Sequence, residues 1–399
     1  MRTWSDSPFP RMVNIAEVQD RGTIIAEHSG ESRIIYEIIG RPRWLVKLYI
    51  YRLSAERARE LEDLIVLPAR MNDTDRALID STVAWPVAQV VDNGSTVGVI
   101  IAKASDQFFA SITTLPGRVR RIPLEFDHLA MPEEDYAHRG LDPPSPGDRL
   151  RMVRKIVAVG ELLERYGIVF GDWSYSNEFW AEKSHEVFVI DVDPCGFTKR
   201  PWVESNRLAD PLVPDGDCIT TYTDRYKLAV LTVRGLTGVR SNEAAAVRRL
   251  PASVHGSALQ QVLTKTLTAT TLQDRPVVRR LLEALDDACR QLAAREATEN
   301  FGYGMPSLEP DFEQSRYAVE GVEQQSWYEA EEGLVPSAFA ANESPARRVY
   351  RVRPSVKRRE SSNRLALGPV KFSDIRVAAI TIVVIVAMIL AGLFIWGPL

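Results

Sequence analysis

The chain has 399 residues, 45% hydrophobic and 26% charged, with a formal net charge of −4. That length supports one or two folded domains plus extra segments, and the charge gives no bulk attraction to nucleic acid, so no nucleic-acid partner is expected. Cys195, Cys218 and Cys289 are scattered and the five histidines form no ligand cluster, which excludes a disulfide framework and points to a reducing cytosol. Met1 to Pro10 carries no apolar stretch, so no signal peptide is read there.

Residues 12–50 read as strands. Thr23-Ile24-Ile25-Ala26 and Arg33 to Ile39 flank a polar turn, His28-Ser29-Gly30-Glu31-Ser32. A third strand, Trp44 to Tyr49, follows the turn Gly40-Arg41-Pro42. Ser54 caps a helix from Ala55 to Leu67, and Pro68 stops it. Trp85 to Val91 and Thr96 to Ile101 form a hairpin across Asp92-Asn93-Gly94-Ser95. The first unit, 12–103, is therefore a small strand-rich lobe with one helix.

From 104 to 295 the pattern is helical. Asp148 caps a helix to Tyr166, with Leu150, Val153, Val157 and Leu163 as its inner stripe. The helix leads into Ile168-Val169-Phe170-Gly171-Asp172-Trp173-Ser174-Tyr175-Ser176-Asn177, and then into the apolar strand Val187 to Ile190, which ends on Asp191. Residues 191–222 are irregular and polar. A helix starts near Thr223, and 257–271 and 276–295 also read as helices.

Residues 296–376 are acidic, then basic, and read as a flexible, mostly disordered linker. Val377 to Trp396 is uncharged. About 20 apolar residues span a bilayer, so 377–396 is predicted as a single transmembrane helix and tail anchor. Its basic flank, Arg347 to Arg376, marks the cytoplasmic side and suits anionic lipid headgroups. The expected location is the membrane, single-pass, with the folded body in the cytoplasm.

Asp172, Asn177 and Asp191 carry the chemistry. Phosphoryl transfer needs a carboxylate to orient the attacking hydroxyl, and an amide and a second carboxylate to hold magnesium against nucleotide phosphates. The blander reading of any one of these aspartates is a loop carboxylate that caps a turn.

A strand lobe, a helical lobe and an Asp-Asn-Asp loop between them resemble the eukaryotic-type serine/threonine protein kinases over about residues 12–295. The nearest likeness is to a bacterial branch with Gly-Asp in the catalytic loop, here Gly171-Asp172. Ala84-Trp85-Pro86 and Gly98-Val99-Ile100-Ile101-Ala102-Lys103 also match that branch. The resemblance implies an α+β, bilobal kinase-like fold with ATP and Mg2+ as cofactors. It makes Asp172 the catalytic aspartate and Lys47 the phosphate-binding lysine. Glu60 is Lys47's partner, with Glu62 as the competing choice. Gly30, Ile101 and Lys103 join Lys47, Asn177 and Asp191 at the nucleotide, with Asn177 and Asp191 as metal ligands. Asp193 is either a second ligand or a turn residue before Pro194. Asp224 braces the catalytic loop, and Asp210 of Ala209-Asp210-Pro211 pairs with Arg275. Small-molecule phosphotransferases share the Asp-Asn-Asp site but lack this later set.

Departures from the pattern are also visible. Only Gly30 remains in the phosphate turn, Phe170 and Gly171 replace His and Arg, Ser174 replaces Lys, and Asp191-Val192-Asp193 lacks the usual glycine. With Gly171 in place of that Arg, phosphate on Thr198, Ser205, Thr220, Thr221 or Thr223 has no partner, so activity should not require it. The leading expectation is a membrane-anchored kinase that phosphorylates protein hydroxyls and self-associates at the membrane surface. Its rivals are a pseudokinase scaffold and a small-molecule phosphotransferase.

Overall fold

The structure, a computed structural model, describes residues 4–114, 117–202, 208–251 and 254–302. The expected linker beyond 302, the transmembrane segment 377–396 and Ser205 lie outside the described residues. Among the described residues, no helix is long and apolar enough to cross a membrane.

The first lobe is built on a six-stranded sheet in the order β1-β5-β6-β4-β3-β2. Its strands are β1 (Met12–Asn14), β2 (Arg21–Ser29), β3 (Ser32–Ile38), β4 (Arg41–Tyr49), β5 (Pro86–Asp92) and β6 (Ser95–Ala102). Asn93 and Gly94 both take positive φ, 48° and 74°, which is the two-residue turn that matches strand twist, as their sequence predicts. Alternation sorts the side chains. Ile34, Tyr36, Val46, Leu48, Val90 and Ile100 fill one face. Leu45, Tyr49, Val99 and Ile101 fill the other, beneath Leu61 and Ile65 of helix α1 (Ala55–Val66). Lys47 lies on this second face, two residues from Leu45 and from Tyr49.

A helix in the strand half and a hairpin just beyond it differ from the sequence reading. A second helix, α2 (Asp73–Thr82), follows α1, capped by Asn72. Only Leu78 and Ile79 gave it apolar periodicity, so its cap was the stronger signal. Strands β7 (Phe109–Thr113) and β8 (Val119–Pro123) form a hairpin where helix was expected.

The second lobe contains the short helices α3 (Phe126–Leu129) and α4 (Glu133–Arg139), and then α5 (Pro146–Arg165). Helix α5 starts before Asp148. Ser145 accepts the Asp148 N–H at 3.1 Å and Pro146 occupies the first turn, a better start than an Asp two residues inside. Strands β9 (Ile168–Val169), β10 (Glu178–Trp180), β11 (Val187–Val189) and β12 (Gly196–Phe197) frame the loop region. Helices α6 (Thr221–Thr237), α7 (Glu243–Ala246), α8 (Ala258–Leu267) and α9 (Val278–Gly302) complete the lobe. Helix α9 runs past the expected boundary at 295. The apolar core of this lobe joins Leu150, Val153, Val157 and Leu163 of α5 to Leu228 and Leu231 of α6 and Leu285 of α9. It also takes in Ile79 of α2. Asp75 of α2 accepts two hydrogen bonds from Arg165, each 2.8 Å, and one from Tyr166. Helix α2 thus belongs to the helical core although its sequence lies in the strand half.

The lobes are joined near Trp85. Its indole N–H donates to Leu64 O of α1 at 2.9 Å, and the Ala84 N–H next to it donates to Val189 O of β11 at 2.8 Å.

Candidate functional site

The loop from Phe170 to Asn177 is held from below by one carboxylate. Asp224, in the first turn of α6, accepts the Phe170 N–H at 2.9 Å and the Gly171 N–H at 2.7 Å. Lys227, one turn on, donates to Gly171 O at 2.6 Å. Burial pushes the Asp224 carboxyl up and the Lys227 ammonium down, while the two N–H bonds and the neighbouring opposite charge act against those shifts. Gly171 is required here on two grounds. Its φ is +69°, and a Cβ would lie 2.2 Å from Ile219 Cδ1.

Arg200 reaches the same loop from the segment after β12. It is buried, its guanidinium donates to Phe170 O, and its charge acts on Asp172. The residue before Asp172 is Gly171, so the arginine at this loop comes from a distant segment instead. A lone basic residue in an irregular, polar segment gave no signal of its destination.

At the cleft end of the loop, Asn177 Nδ2 donates to Asp172 O at 2.8 Å and to Asp172 Oδ2 at 3.0 Å. The Ile190 N–H donates to Asn177 O at 2.8 Å, which draws β11 and Asp191 alongside. Burial raises the Asp172 carboxyl above its ordinary value. Arg200, Lys227 and the Asn177 amide oppose the rise, and Asp191 adds to it. Asp191 takes φ +59°, rare for a non-glycine residue, and its side chain is 38% exposed. Asp172 and Asn177 are thus hydrogen-bonded, and Asp191 lies close enough for its charge to act on Asp172.

Lys47 reaches this group from β4. Its Nζ donates to Asp191 Oδ1 at 3.1 Å and to Asp193 Oδ1 at 2.8 Å. Burial alone would lower the Lys47 ammonium, but the two carboxylates outweigh it and hold it above the usual lysine value. The Tyr49 hydroxyl donates to Asp193 Oδ2 at 2.9 Å, and burial pushes the phenol up, so it stays a donor. The expected Lys47–Glu60 pair is not made. Glu60 is bound to Arg57 on its own helix, and Arg57 Nη2 also donates to Pro194 O at 2.8 Å. Glu62, the competing choice, is exposed on α1 and makes no bond to Lys47. The α1 glutamates lose to Asp193 because Asp193 is buried against Lys47 and needs its charge, whereas Glu60 has an arginine three residues away.

The remaining expected residues are Gly30, Ile101 and Lys103. Gly30 sits at φ +55° in the two-residue turn between β2 and β3, with open space beside it. Its neighbour Glu31 lines a cavity of about 110 Å³ together with Tyr49, Arg57, Asp193, Arg200 and Trp202. Ile101 is buried on the Lys47 face of the sheet, opposite Leu45. Lys103 at the end of the strand has its ammonium on Glu37. Its N–H donates to Arg43 O at 2.9 Å.

Residues that could hold a metal ion are few. Among the described residues, no group of three or more His, Cys, Asp or Glu could bind one unaided. Asn177 turns its amide nitrogen to Asp172, which leaves Oδ1 available, and Asp191 Oδ2 has no hydrogen bond within the described residues. Two hard oxygens fit an ion such as Mg2+ that completes its shell with water and phosphate oxygens.

Further out, the Asp210 carboxylate accepts from both arms of Arg275 at 2.5 and 2.6 Å, and both side chains are almost wholly buried. Two of the candidate phosphorylation positions lie inside α6 and a third is its cap. Thr220 caps α6, Thr221 opens it, and Thr223 is 1% exposed inside it.

No family model and no curated protein matches this chain. Among solved structures, a similar one is the ROP18 kinase domain in complex with AMP-PNP and sucrose, at 14% identity and a TM-score of 0.45. The match covers 71% of this chain and 82% of that one.

Proposed function

We propose that this chain is an ATP-dependent protein kinase acting on serine or threonine hydroxyls, anchored in the membrane by residues 377–396 with its folded body in the cytoplasm. One observation carries the reading: Lys47, more than 120 residues before the loop, bonds Asp191, and Asp191 sits beside the hydrogen-bonded Asp172–Asn177 pair, joined to it through the Ile190 N–H and close enough for its charge to act on Asp172. Lys47 would bind the α and β phosphates of the nucleotide. Asp172, held by Asn177, would orient the acceptor hydroxyl and take its proton as the oxygen bonds the γ-phosphorus, the bond from that phosphorus to the β–γ bridging oxygen breaks, and ADP leaves with the electron pair. Asn177 Oδ1 and Asp191 would hold the magnesium ion, which neutralises phosphate charge when bound. Catalysis would be chiefly positional and electrostatic. A protein acceptor is favoured over a small molecule because Asp224 and the Asp210–Arg275 pair, the later set of the protein-kinase resemblance, are both in place. The basic flank of the anchor would bind anionic lipid, and confinement to a surface would favour self-association.

A second reading, a pseudokinase scaffold, is favoured by one observation: Lys47 is already engaged by two carboxylates, and a third, Glu31, lines the cavity next to them. Incubating the full-length protein with ATP and magnesium and then applying mass spectrometry decides between them. Phosphoserine or phosphothreonine on the chain or an added protein, lost in Asp172→Asn, is the expected result. No phosphorylated product with any of several divalent metals would overturn the kinase reading.

A further inference from the structure

Strand β4 places two donors on one face, Lys47 and Tyr49, and both reach the same carboxylate, one to each oxygen. That carboxylate, Asp193, is 1% exposed at its side chain, against 38% for Asp191. A buried carboxylate held by an ammonium and a phenol has no reason to leave them. Asp191 is the opposite case: half-open, strained at φ +59°, and bound to Lys47 by a single oxygen. If ligand oxygens draw Asp191 away, Lys47 keeps Asp193. Glu60 cannot take that place without first giving up Arg57, and Arg57 is tied to Pro194 O and Cys195 O, immediately after Asp193.

We infer that Asp193, braced by Tyr49, is the positioning residue that holds Lys47 for the nucleotide phosphates, and that Glu60 instead fastens α1 to the Pro194 backbone through Arg57. This rests on the phosphotransfer reading for the role of Lys47, but not for the pairing itself. One consequence is regulatory. A shift of α1 reaches Lys47 through Arg57, Pro194 and Asp193 rather than through a glutamate on the helix.

The pairing is tested on the full-length, nucleotide-free protein by double-mutant cycles in melting temperature. Lys47→Met and Asp193→Asn should be coupled, the double variant losing several degrees less than the sum of the single losses. Lys47→Met and Glu60→Gln should be additive. Coupling at Glu60 with additivity at Asp193 overturns the proposal. If Asp193→Asn does not fold, Tyr49→Phe replaces it in the cycle, with a smaller coupling of the same sign expected and additivity counting against the proposal. Positioning is read separately by binding of a fluorescent ATP analogue. Asp193→Asn should weaken it roughly tenfold or more, the size of one charge-assisted hydrogen bond, and Tyr49→Phe should weaken it less. Unchanged affinity in a folded, coupled Asp193→Asn variant overturns the positioning role. Wild-type protein that binds no analogue but shows the predicted coupling would sink the kinase reading and leave the pairing standing.

Discussion

Two buried ion clusters are built from the same chemistry and put to different use. Asp210 and Arg275 meet fork to fork, both almost fully buried, at the base of α6. Each charge has its partner, and nothing faces solvent. Lys47, Asp191 and Asp193 form an odd-numbered set, one cation to two anions, with one carboxylate half-open and in a strained backbone conformation. The first cluster is closed and can only support the lobe. The second carries an excess negative charge beside Asp172, at the edge of the cleft, where a cation would be welcome. Stability and function are thus separated in space, and substitutions can test how cleanly.

The largest effects are expected at the two extremes. Asp172→Asn should cut phosphoryl transfer by about 10²–10⁴-fold, the usual range for loss of a positioned base, while Tm changes little. Arg275→Ala should do the reverse. It strands a buried carboxylate, which costs about 3–5 kcal/mol, so the folded fraction collapses while the molecules still folded keep their turnover. Thermal melts paired with initial rates check both. A large loss of Tm in Asp172→Asn would break the comparison.

Elements with local signals were legible in advance. Asn93-Gly94 turns its hairpin, and the apolar run from Val187 forms β11, which ends at Val189, two residues before Asp191. Lysine in an apolar strand implied a partner, and Lys47 has two, the buried Asp193 and the half-open Asp191. The Asp210–Arg275 pair came from the kinase resemblance rather than from spacing. What failed was choice among equals. Glu60, Glu62, Asp191 and Asp193 are all carboxylates near Lys47 in the implied fold, and only burial and the competing pull of Arg57 decide which of them bind it. Arg200 was missed for a related reason, since its partner, Phe170 O, is a backbone atom that no side-chain pattern announces. Helix α2 was missed because its stabilising contact, Arg165 on Asp75, joins distant segments.

A middle-sized effect sharpens the contrast. Asp224 holds the Phe170–Asn177 loop by accepting two backbone N–H groups, so it belongs both to the frame and to the proposed site. Asp224→Asn keeps one acceptor oxygen and orphans the other N–H. The expected loss is about 1–3 kcal/mol, smaller than at Arg275, with a drop in turnover because Asp172 follows Gly171 directly. A variant that lost stability but kept full turnover would show that the loop holds its shape without this brace.

The smallest effect is the most informative about the ground between frame and site. Glu178, next to Asn177, is 1% exposed, and its Oε1 accepts a long bond from the Ser174 N–H, 3.4 Å. Its Oε2 has no hydrogen-bond partner among the described residues. Burial pushes this carboxyl well above its ordinary value of 4.5, and the nearby Asp172 charge pushes the same way. The folded chain therefore holds a proton that the unfolded chain releases once the pH passes 4.5. Above that point the native state binds more protons than the unfolded state, so this group's contribution to stability falls as pH rises towards the raised folded value. Glu178→Gln has the same shape and no titration. Its Tm should match wild type near pH ~4 and exceed it by a few degrees at pH ~8, with the gap widening steadily between. Melting curves of both proteins across that range measure the gap directly. A gap that stays flat or closes with rising pH would mean that Glu178 is ionised and well paired, and that the buried charge beside Asp172 is part of the site.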